Sequence, residues 1–340
     1  MAWVLTQACR TRELWWARRA VLRVAAAALI TSCALENRAV AAEFPDRAIT
    51  IVVPSGAGGG LDLLGRFVAT QLTKLQLSAV VENKTGAGTL VGTEAVSKAA
   101  PDGYTLLVGG SSNMSLNPTL FKNIKYDAVN DFIPITYLVE YPMVLVANKD
   151  FPASSFKELV GYAKANPGKL SFASAGVGSG QHVWTTILFK GLGLDVTHVP
   201  FRGSAGAYTE LLAGRVNLML DNISAAQPQI QAGAIKPIAV SSTYRASQLP
   251  DVPTIAETGV DFEAISWMAI FAPRGTPADV VAKLRASIDT IRQSQEFQDF
   301  VQRNGGKRSE VVTEEQRTRY VADDVKKWKV LIERDDLVMQ

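Results

Sequence analysis

The strongest constraint in this sequence is a strand–turn–helix pattern that occurs twice along the chain. A β-branched strand at 49–53 leads through a glycine-rich turn into a helix that begins near residue 61. The pattern restarts near residue 143, and a strand at 170–173 leads through a second glycine-rich turn into a helix at 181–191. Alternating strands and helices favour a mostly parallel sheet covered by helices on both faces. We therefore predict an α/β fold with two such lobes.

The end of the chain changes character, because helices dominate after residue 277. We expect this helical tail to pack back on the first lobe, so that the second lobe is inserted within the first. The sequence then predicts lobe 1 from 43–142 and 264–340, and lobe 2 from 143–263. A chain that crosses twice between lobes forms a hinge, and hinge closure around a ligand is the usual motion of such proteins.

The two glycine-rich turns, at 54–62 and 174–182, carry the chemistry. Each places backbone N–H groups at a helix N-terminus, where the helix dipole favours an anion. In a parallel sheet both turns lie at the carboxyl edge of the strands, where ligands bind. Facing each other across a cleft, they could hold both ends of a small dianion. The candidate ligand-binding residues are Ser55, Gly56, Ala57, Gly58, Gly59, Asp62, Asn113, Ser174, Gly176, Gly178, Ser179, His182, Ser204 and Asp221.

Several of these side chains also have a structural interpretation. Asp62 near a helix start is either a cap and dipole partner or a ligand contact. His182 either donates to a ligand carboxylate or caps locally, and Asn113 either faces the ligand or holds a turn. Asp221 ends a strand and is interpreted as a hinge or cleft residue. Trp267 is predicted to pack in the core or hinge.

Signatures of enzymes and nucleotide-binding proteins are absent from the sequence. There is no P-loop, and a dinucleotide fingerprint would need glycine where Leu61 and Gln181 stand. No serine occupies a nucleophile elbow, and the two histidines, His182 and His198, form no metal-binding spacing. We therefore predict a binding protein without catalytic activity, metal or cofactor.

The first 42 residues are predicted to be an export signal. Arg18 and Arg19 end a basic stretch, an apolar run follows over 20–35, and small residues offer cleavage after Ala42. Export by the general or the twin-arginine route stays open, as does a lipid anchor at Cys33. The only other cysteine is also in this segment, so the mature chain has no disulfide.

Composition agrees with a globular body that does not bind nucleic acid. Apolar residues make up 47% of the 340 residues and charged residues 20%. The net charge of +3 comes from the leader, because residues 43–340 carry 29 basic and 30 acidic side chains. Without a basic stripe, nucleic acid is not an expected partner.

An ordered set of segments resembles the Bug family, the periplasmic receptors of tripartite tricarboxylate transporters. Any one of the matching stretches is modest evidence, whereas the full set in this order is specific. The matches are Phe44–Arg47, Pro54–Asp62, Val81–Gly88, Ala100–Leu107, Ser174–His182, Val199–Ser204, Asp221–Asn222, Leu249–Thr254 and Phe271–Pro277.

This resemblance implies a two-lobed periplasmic-binding-protein (Venus flytrap) fold without catalysis. It implies that the loops at 55–62 and 174–182 bind a small carboxylate through backbone N–H groups and water. It further implies membrane transporter subunits as partners, a periplasmic location and, by default, a monomer. A stand-alone sensor that signals to another partner is the alternative.

The sequence departs from the family pattern at positions that bear on the ligand. Ser55 stands where an aromatic residue is usual, and Leu61 and Leu90 stand where polar residues are common. If these leucines face the cleft, polar contacts have become apolar. We therefore expect a monocarboxylate, or an acid with an apolar or aromatic body, in preference to citrate.

Overall fold

The computed structural model describes residues 44–201 and 203–338. The predicted signal peptide at 1–42, with the alternative lipid site at Cys33, lies outside these residues. Within them, no helix has the length and apolar character needed to cross a bilayer. The strands are β1 (Ile49–Val53), β2 (Ala79–Asn83), β3 (Thr105–Gly110), β4 (Phe132–Asn148), β5 (Leu170–Ser174), β6 (Val196–Pro200), β7 (Leu218–Asn222), β8 (Ile235–Val240), β9 (Ile265–Pro273) and β10 (Lys307–Arg308).

The α-helices alternate with these strands in the first two thirds of the chain and then follow one another. A short π-helical turn, Ser111–Leu116, precedes the third of them, and single 3-10 turns occur at Ala87–Thr89 and Ala256–Thr258. The helices are α1 (Gly60–Lys74), α2 (Leu90–Ser97), α3 (Asn117–Leu120), α4 (Phe156–Ala165), α5 (Gly180–Gly191), α6 (Ser204–Leu212), α7 (Ile223–Gln231), α8 (Ala278–Gln293), α9 (Gln295–Arg303) and α10 (Glu314–Arg334).

The first sheet combines a parallel centre with long antiparallel strands. β1 lies between β2 and β3 and pairs with both in parallel. β9 pairs antiparallel with β3, β4 pairs antiparallel with β9, and the short β10 adds to β4. The carboxyl ends of β1 and β3 therefore lie at one edge, where the turns after Val53 and Gly110 come together.

The second sheet repeats this arrangement. β5 lies between β6 and β7 and pairs with both in parallel, while β7 and β8 pair antiparallel with β4. Both sheets are therefore mixed, with the predicted parallel order confined to three neighbouring strands in each. We call the elements built on the first sheet lobe 1 and those built on the second sheet lobe 2.

A single strand, β4, belongs to both sheets. Its first part, Phe132–Pro142, pairs with β9, and from Met143 onward it pairs with β7. The sequence pattern predicted that the strands restart only near residue 143, whereas β4 already begins at Phe132. The earlier half contains Pro134, which lies at a register shift in the pairing with β9. Proline is tolerated at such bulges, so it does not end the strand.

Contacts do not divide the chain between the lobes, because everything from Arg47 onward clusters as one compact unit. The shared strand β4 is one reason, and α10 is another, since it packs on both lobes. The lobe boundaries drawn from the sequence, at 142/143 and 263/264, therefore remain predictions.

Packing of α1 on the first sheet sets the position of its N-terminus. Leu64, Val68 and Leu72 recur at helical spacing and are fully buried. Burial of each such side chain contributes about 1.5–3 kcal/mol. Gly65 allows close approach, because a Cβ there would lie 2.8 Å from a Val53 methyl group. The helix therefore starts directly at the carboxyl edge of the sheet.

The helical tail contacts both lobes. Tyr320 on α10 packs against Tyr137 of lobe 1, with ring centroids 4.8 Å apart. Farther along α10, Trp328 packs against Trp184 of lobe 2 at 5.8 Å. Trp328 and Ile332 belong to the apolar core of lobe 2. The expectation that the whole tail packs on lobe 1 is therefore corrected for the end of α10.

Candidate functional site

A cavity of about 310 Å³ is lined by residues that follow β1, β3 and β5, and we call it the inner cavity. None of its lining residues carries a charged side chain. Lobe 1 contributes Ser55, Gly59, Gly60, Leu61, Thr89, Gly110, Ser111, Ser112, Asn113, Ser266, Trp267 and Met268. Lobe 2 contributes Met143, Ala175, Ser179, Gly180, Gln181, Trp184 and Asn222.

A second cavity of about 640 Å³ adjoins the first, and we call it the outer cavity. Gly59, Gly60, Asn222 and Met268 line both. A ligand held in the inner cavity therefore has room to extend past these four residues. The other residues of the outer cavity are Ala57, Gly58, Leu63, Tyr141, Gly203, Ser204, Ala205, Asp221, Ser224, Ala225 and Asn304.

Two helix N-termini, one from each lobe, open at the inner cavity. Gly59 is the N-cap of α1 and offers no side chain to the first-turn N–H groups. Ser179 caps α5, but its hydroxyl accepts only from the N–H of His182. The first-turn N–H groups of Gly60 and Gly180 have no acceptor within their own helices. Backbone donors and two helix dipoles can therefore hold an anion here without any cationic side chain.

The side chain of Asp62 holds the first glycine-rich loop in place. It is 1% exposed, and its carboxylate accepts from the Gly58 N–H at 2.8 Å, Arg66 Nε at 2.9 Å and Asn83 Nδ2 at 2.8 Å. Burial opposes its ionisation, but these hydrogen bonds outweigh that effect and lower the pKa of Asp62. Asp62 lines neither cavity, and its hydrogen bonds make it a clamp on the loop, whereas its contact with a ligand stays a prediction.

Two stacked histidines hold the second loop. The rings of His182 and His198 lie 3.9 Å apart, and the Gly178 N–H donates to His182 Nδ1 at 3.2 Å. Ser174 Oγ lies 2.7 Å from His198 Nε2. Burial lowers the pKa of both histidines, and the neighbouring ring adds to the effect at His198, whose pKa falls to about 4. Both rings are therefore neutral at physiological pH.

This arrangement bears on two sequence-based expectations, and ligand contact by His182 or Ser174 stays a prediction. Ser174 Oγ and His182 Nδ1 each make a hydrogen bond inside lobe 2, and neither residue lines a cavity. The interaction that turns them inward is with His198, which is distant in sequence. The local pattern around the turn could not indicate it.

Asn113 lines the inner cavity, but its amide is used within lobe 1. Its Oδ1 accepts from the Gly110 N–H at 2.9 Å, and its Nδ2 donates to Thr93 Oγ1 at 2.9 Å. The amide therefore shapes the turn after β3, which was the alternative interpretation of this residue.

Gln181 ties three elements of lobe 2 together and was not predicted. Its Oε1 accepts from the Ala175 N–H at 2.8 Å, and its Nε2 donates to Ser204 Oγ at 3.0 Å and to Asp221 Oδ1. Asp221 is 1% exposed, and burial raises its pKa despite hydrogen bonds from the Asn222 N–H and Gln181. This network fixes the second loop relative to the ends of β7 and α6.

Large apolar side chains form much of the inner cavity wall. Trp184 folds back over the start of its own helix, so that a Cβ on Gly180 would lie 2.7 Å from the indole ring. Helical side chains point toward the N-terminus, so a residue four positions after a helix start can cover that start. This rule could have identified Trp184. A Cβ on Gly60 would likewise meet Met268 at 2.8 Å.

The candidate residues therefore fall into three groups. Ser55, Gly59, Asn113 and Ser179 line the inner cavity, and Ala57, Gly58, Gly59, Ser204 and Asp221 line the outer cavity. The remaining six line neither: Gly56, Asp62, Ser174, Gly176, Gly178 and His182. Direct ligand contact by any of them remains a prediction.

The two leucines that bear on the ligand have different environments. Leu61 lines the inner cavity, whereas Leu90 packs against the core of lobe 1 and lines neither cavity. The apolar departure from the family pattern therefore reaches the cavity only at Leu61. Among residues 44–201 and 203–338, no cluster of side chains could hold a metal ion.

Comparisons with known proteins agree with this geometry. The family model TctC, described as the tripartite tricarboxylate transporter family receptor, matches residues 64–337. The solved periplasmic binding protein BugD is 36% identical, with a TM-score of 0.77 over 87% of this chain and 100% of that one.

Two solved relatives contain a dicarboxylate. A Rhodopseudomonas palustris protein solved with adipate is 31% identical, with a TM-score of 0.78 over 86% of this chain and 99% of that one. MatC from Rhodopseudomonas palustris, solved with malate, is 33% identical, with a TM-score of 0.74 over 85% of this chain and 100% of that one.

These likenesses extend over nearly the whole described chain and confirm both the two-lobed binding-protein fold and the resemblance to the Bug proteins. The match to the family model covers far more than half of the sequence. The chain belongs to the TctC family of tripartite tricarboxylate transporter receptors.

Proposed function

We propose that this protein is an extracytoplasmic receptor that captures a small carboxylate in the inner cavity and presents it to a tripartite tricarboxylate-type membrane transporter. The observation that carries the proposal is the convergence of two helix N-termini, from opposite lobes, on one cavity without charged side chains. Relatives at 31% and 33% identity were solved with adipate and malate.

The neutral lining favours a ligand that brings its own charge. An anion gains from the first-turn N–H groups of α1 and α5 and from both helix dipoles, whereas a cation would meet the same groups unfavourably. With donors from both lobes, one carboxylate holds the lobes together. Binding of the ligand and closure of the two lobes around it are then coupled.

The wall of the inner cavity supports an acid with an apolar body. Leu61, Met143, Trp184, Trp267 and Met268 together cover a large part of it. Citrate would place a third carboxylate and a hydroxyl against such a surface, where polar groups without partners cost free energy. We therefore propose a mono- or dicarboxylate with an aliphatic or aromatic body.

Location and partners follow from the same proposal. BugD is a periplasmic binding protein, and the predicted export signal would deliver this chain to the same compartment. We propose that the receptor is a monomer. We also propose that it has no catalytic activity, because His198 and the Nδ1 atom of His182 are engaged in holding the second loop.

A thermal-shift screen of residues 43–340 against malate, adipate, benzoate and citrate tests the proposal. An acid at about 100 times its Kd should add about 2.7 kcal/mol to the free energy of unfolding. Gly60→Ala should reduce that shift, because the added Cβ falls 2.8 Å from Met268 at the border of both cavities. Gly161→Ala, where nothing lies within 4 Å, is the matched control. Absence of stabilisation by any small carboxylate would contradict the proposal.

A further inference from the structure

The carboxylate of Asp324 on α10 joins two indole rings. Trp267 Nε1 donates to Oδ2 at 2.7 Å, and Trp328 Nε1 donates to Oδ1 at 3.0 Å. Hydrogen bonds to an ionised acceptor are short, directional and stronger than those between neutral groups. Asp324 thereby fixes the orientation of both rings.

These two rings belong to opposite sides of the inner cavity. Trp267 lines the cavity from lobe 1. Trp328 packs on Trp184 with ring centroids 5.8 Å apart, and Trp184 lines the cavity from lobe 2. All three rings are 2% exposed. Contacts therefore run from Trp267 through Asp324 and Trp328 to Trp184.

The surroundings of Asp324 make the two indole donors important. Asp324 borders a surface groove, which is distinct from the outer cavity. This groove is also lined by Glu140, Glu263 and Asp323, with Lys327 as a cation among them. Burial raises the pKa of Asp324, and the hydrogen bond from Trp267 is the largest opposing effect. Loss of either donor would leave a poorly solvated carboxylate oxygen without its partner.

The ring of Trp267 is held on its other sides as well. It packs against Tyr137 at 5.4 Å and against Tyr320 of α10 at 5.3 Å. Tightly packed rings of this kind move together rather than independently. A displacement of the cavity wall must therefore be accommodated by α10.

We propose that Asp324 is a positioning residue for ligand capture, which couples the Trp267 and Trp184 walls of the inner cavity through α10. Carboxylate bound between the lobes then changes the environment of Trp328, although Trp328 does not line the cavity. This inference rests on the proposed function for its biological meaning, but one arm of its test requires no ligand.

The sequence makes that test direct, because Trp184, Trp267 and Trp328 are the only tryptophans after residue 42. Residues 43–340 should give three indole N–H signals in a ¹H–¹⁵N spectrum, assigned by a Trp→Phe substitution at each position. In the ligand-free protein, Asp324→Asn should shift all three signals, including that of Trp184, which makes no hydrogen bond to Asp324. The adjacent Asp323→Asn, at an exposed position, is the matched control and should leave all three in place.

The second arm adds malate or adipate to saturation. In the unsubstituted protein the Trp328 signal should move with those of Trp184 and Trp267. In Asp324→Asn the Trp328 response should be lost and the Kd raised about tenfold, while Asp323→Asn should bind normally. If Asp324→Asn fails to fold, Trp328→Phe keeps an aromatic ring at this position, removes one donor and should weaken binding in the same direction.

The outcomes separate this inference from the proposed function. A Trp328 signal that stays fixed while Trp184 and Trp267 respond to a bound acid would overturn the coupling. An unchanged Trp184 signal in ligand-free Asp324→Asn would overturn it as well, whatever the protein binds. If neither acid moves any signal but Asp324→Asn shifts Trp184, the coupling stands and the choice of ligand class is wrong.

Discussion

Gly180→Ala offers a sharp test of how the inner cavity is built. An alanine Cβ at this position would lie 2.7, 3.0 and 3.1 Å from three atoms of the Trp184 ring. Carbon atoms prefer separations of about 3.5–4.0 Å, so the ring must move by several tenths of an ångström. Trp328 packs behind Trp184 and restricts that movement. We expect overpacking to cost about 1–3 kcal/mol.

The assay is thermal unfolding of residues 43–340, combined with titration of malate or adipate. At about 2 °C per kcal/mol for a chain of this size, Gly180→Ala should lower the Tm by about 2–6 °C. It should also weaken binding, because Trp184 lines the cavity. Gly161→Ala is the matched control within the same lobe, since α4 leaves space around that position. It should stabilise the protein by about 0.5–1 kcal/mol and leave binding unchanged.

Two results would refute this reasoning. One is an increase in Tm for Gly180→Ala like that for Gly161→Ala, which would mean that Trp184 does not press on the start of α5. The other is an unchanged cost of Gly180→Ala in a Trp184→Leu background. Residues in contact should show a coupling of at least about 0.5 kcal/mol in this double-mutant cycle.

Three further predictions concern the loops. Asp62→Ala should destabilise the protein by about 2–3 kcal/mol in urea unfolding, because three donors lose their acceptor. Arg66→Ala, at an exposed position, should cost under about 1 kcal/mol in the same assay. Equal losses for the two variants would contradict the role of Asp62 as a clamp. Burial and the neighbouring histidine lower the pKa of His198 to about 4, so its contribution to stability is present above pH 6.5 and is lost as the pH falls toward 4. The full pKa shift corresponds to about 3 kcal/mol in the free energy of unfolding, and partial exposure of the ring should reduce the observed loss to roughly half of that. His198→Gln should therefore make the Tm nearly independent of pH between pH 7 and 4.5. An unchanged pH dependence of the Tm would show that the ring is not responsible. Ser179→Ala and Ser294→Ala each remove an N-cap and should each cost about 1 kcal/mol of stability. Only Ser179→Ala should weaken binding of malate or adipate. Equal effects of the two variants on binding would argue against a role for the second glycine-rich loop.

The sequence was informative where local chemistry decides the structure. Glycine-rich backbone after a buried strand predicted the turn before α1 and the turn before α5, and both open at the inner cavity. The same rules identified Ser55, Gly59 and Ser179 as cavity residues. Each of these depends only on neighbouring residues in the chain.

Residues whose partners are distant in sequence were assigned less well. His182 was open to a ligand role, yet it stacks on His198, 16 positions away. Asp62 was interpreted as a helix cap or a ligand contact, and its carboxylate also accepts a hydrogen bond from Asn83 on β2. Only packing of complete elements brings such pairs together, so no local pattern can indicate them. The length of β4 was missed for a different reason, because a bulge accommodates Pro134.

The uncharged lining of the inner cavity has a consequence for the conditions under which this receptor works. Attraction between fixed charges fades with ionic strength, and at 0.15 M salt it is screened beyond about 8 Å. A pocket that relies on backbone dipoles at contact distance has little long-range attraction to lose. The affinity for an acid should therefore depend little on ionic strength. The association rate should be set by diffusion and lobe opening rather than by electrostatic steering.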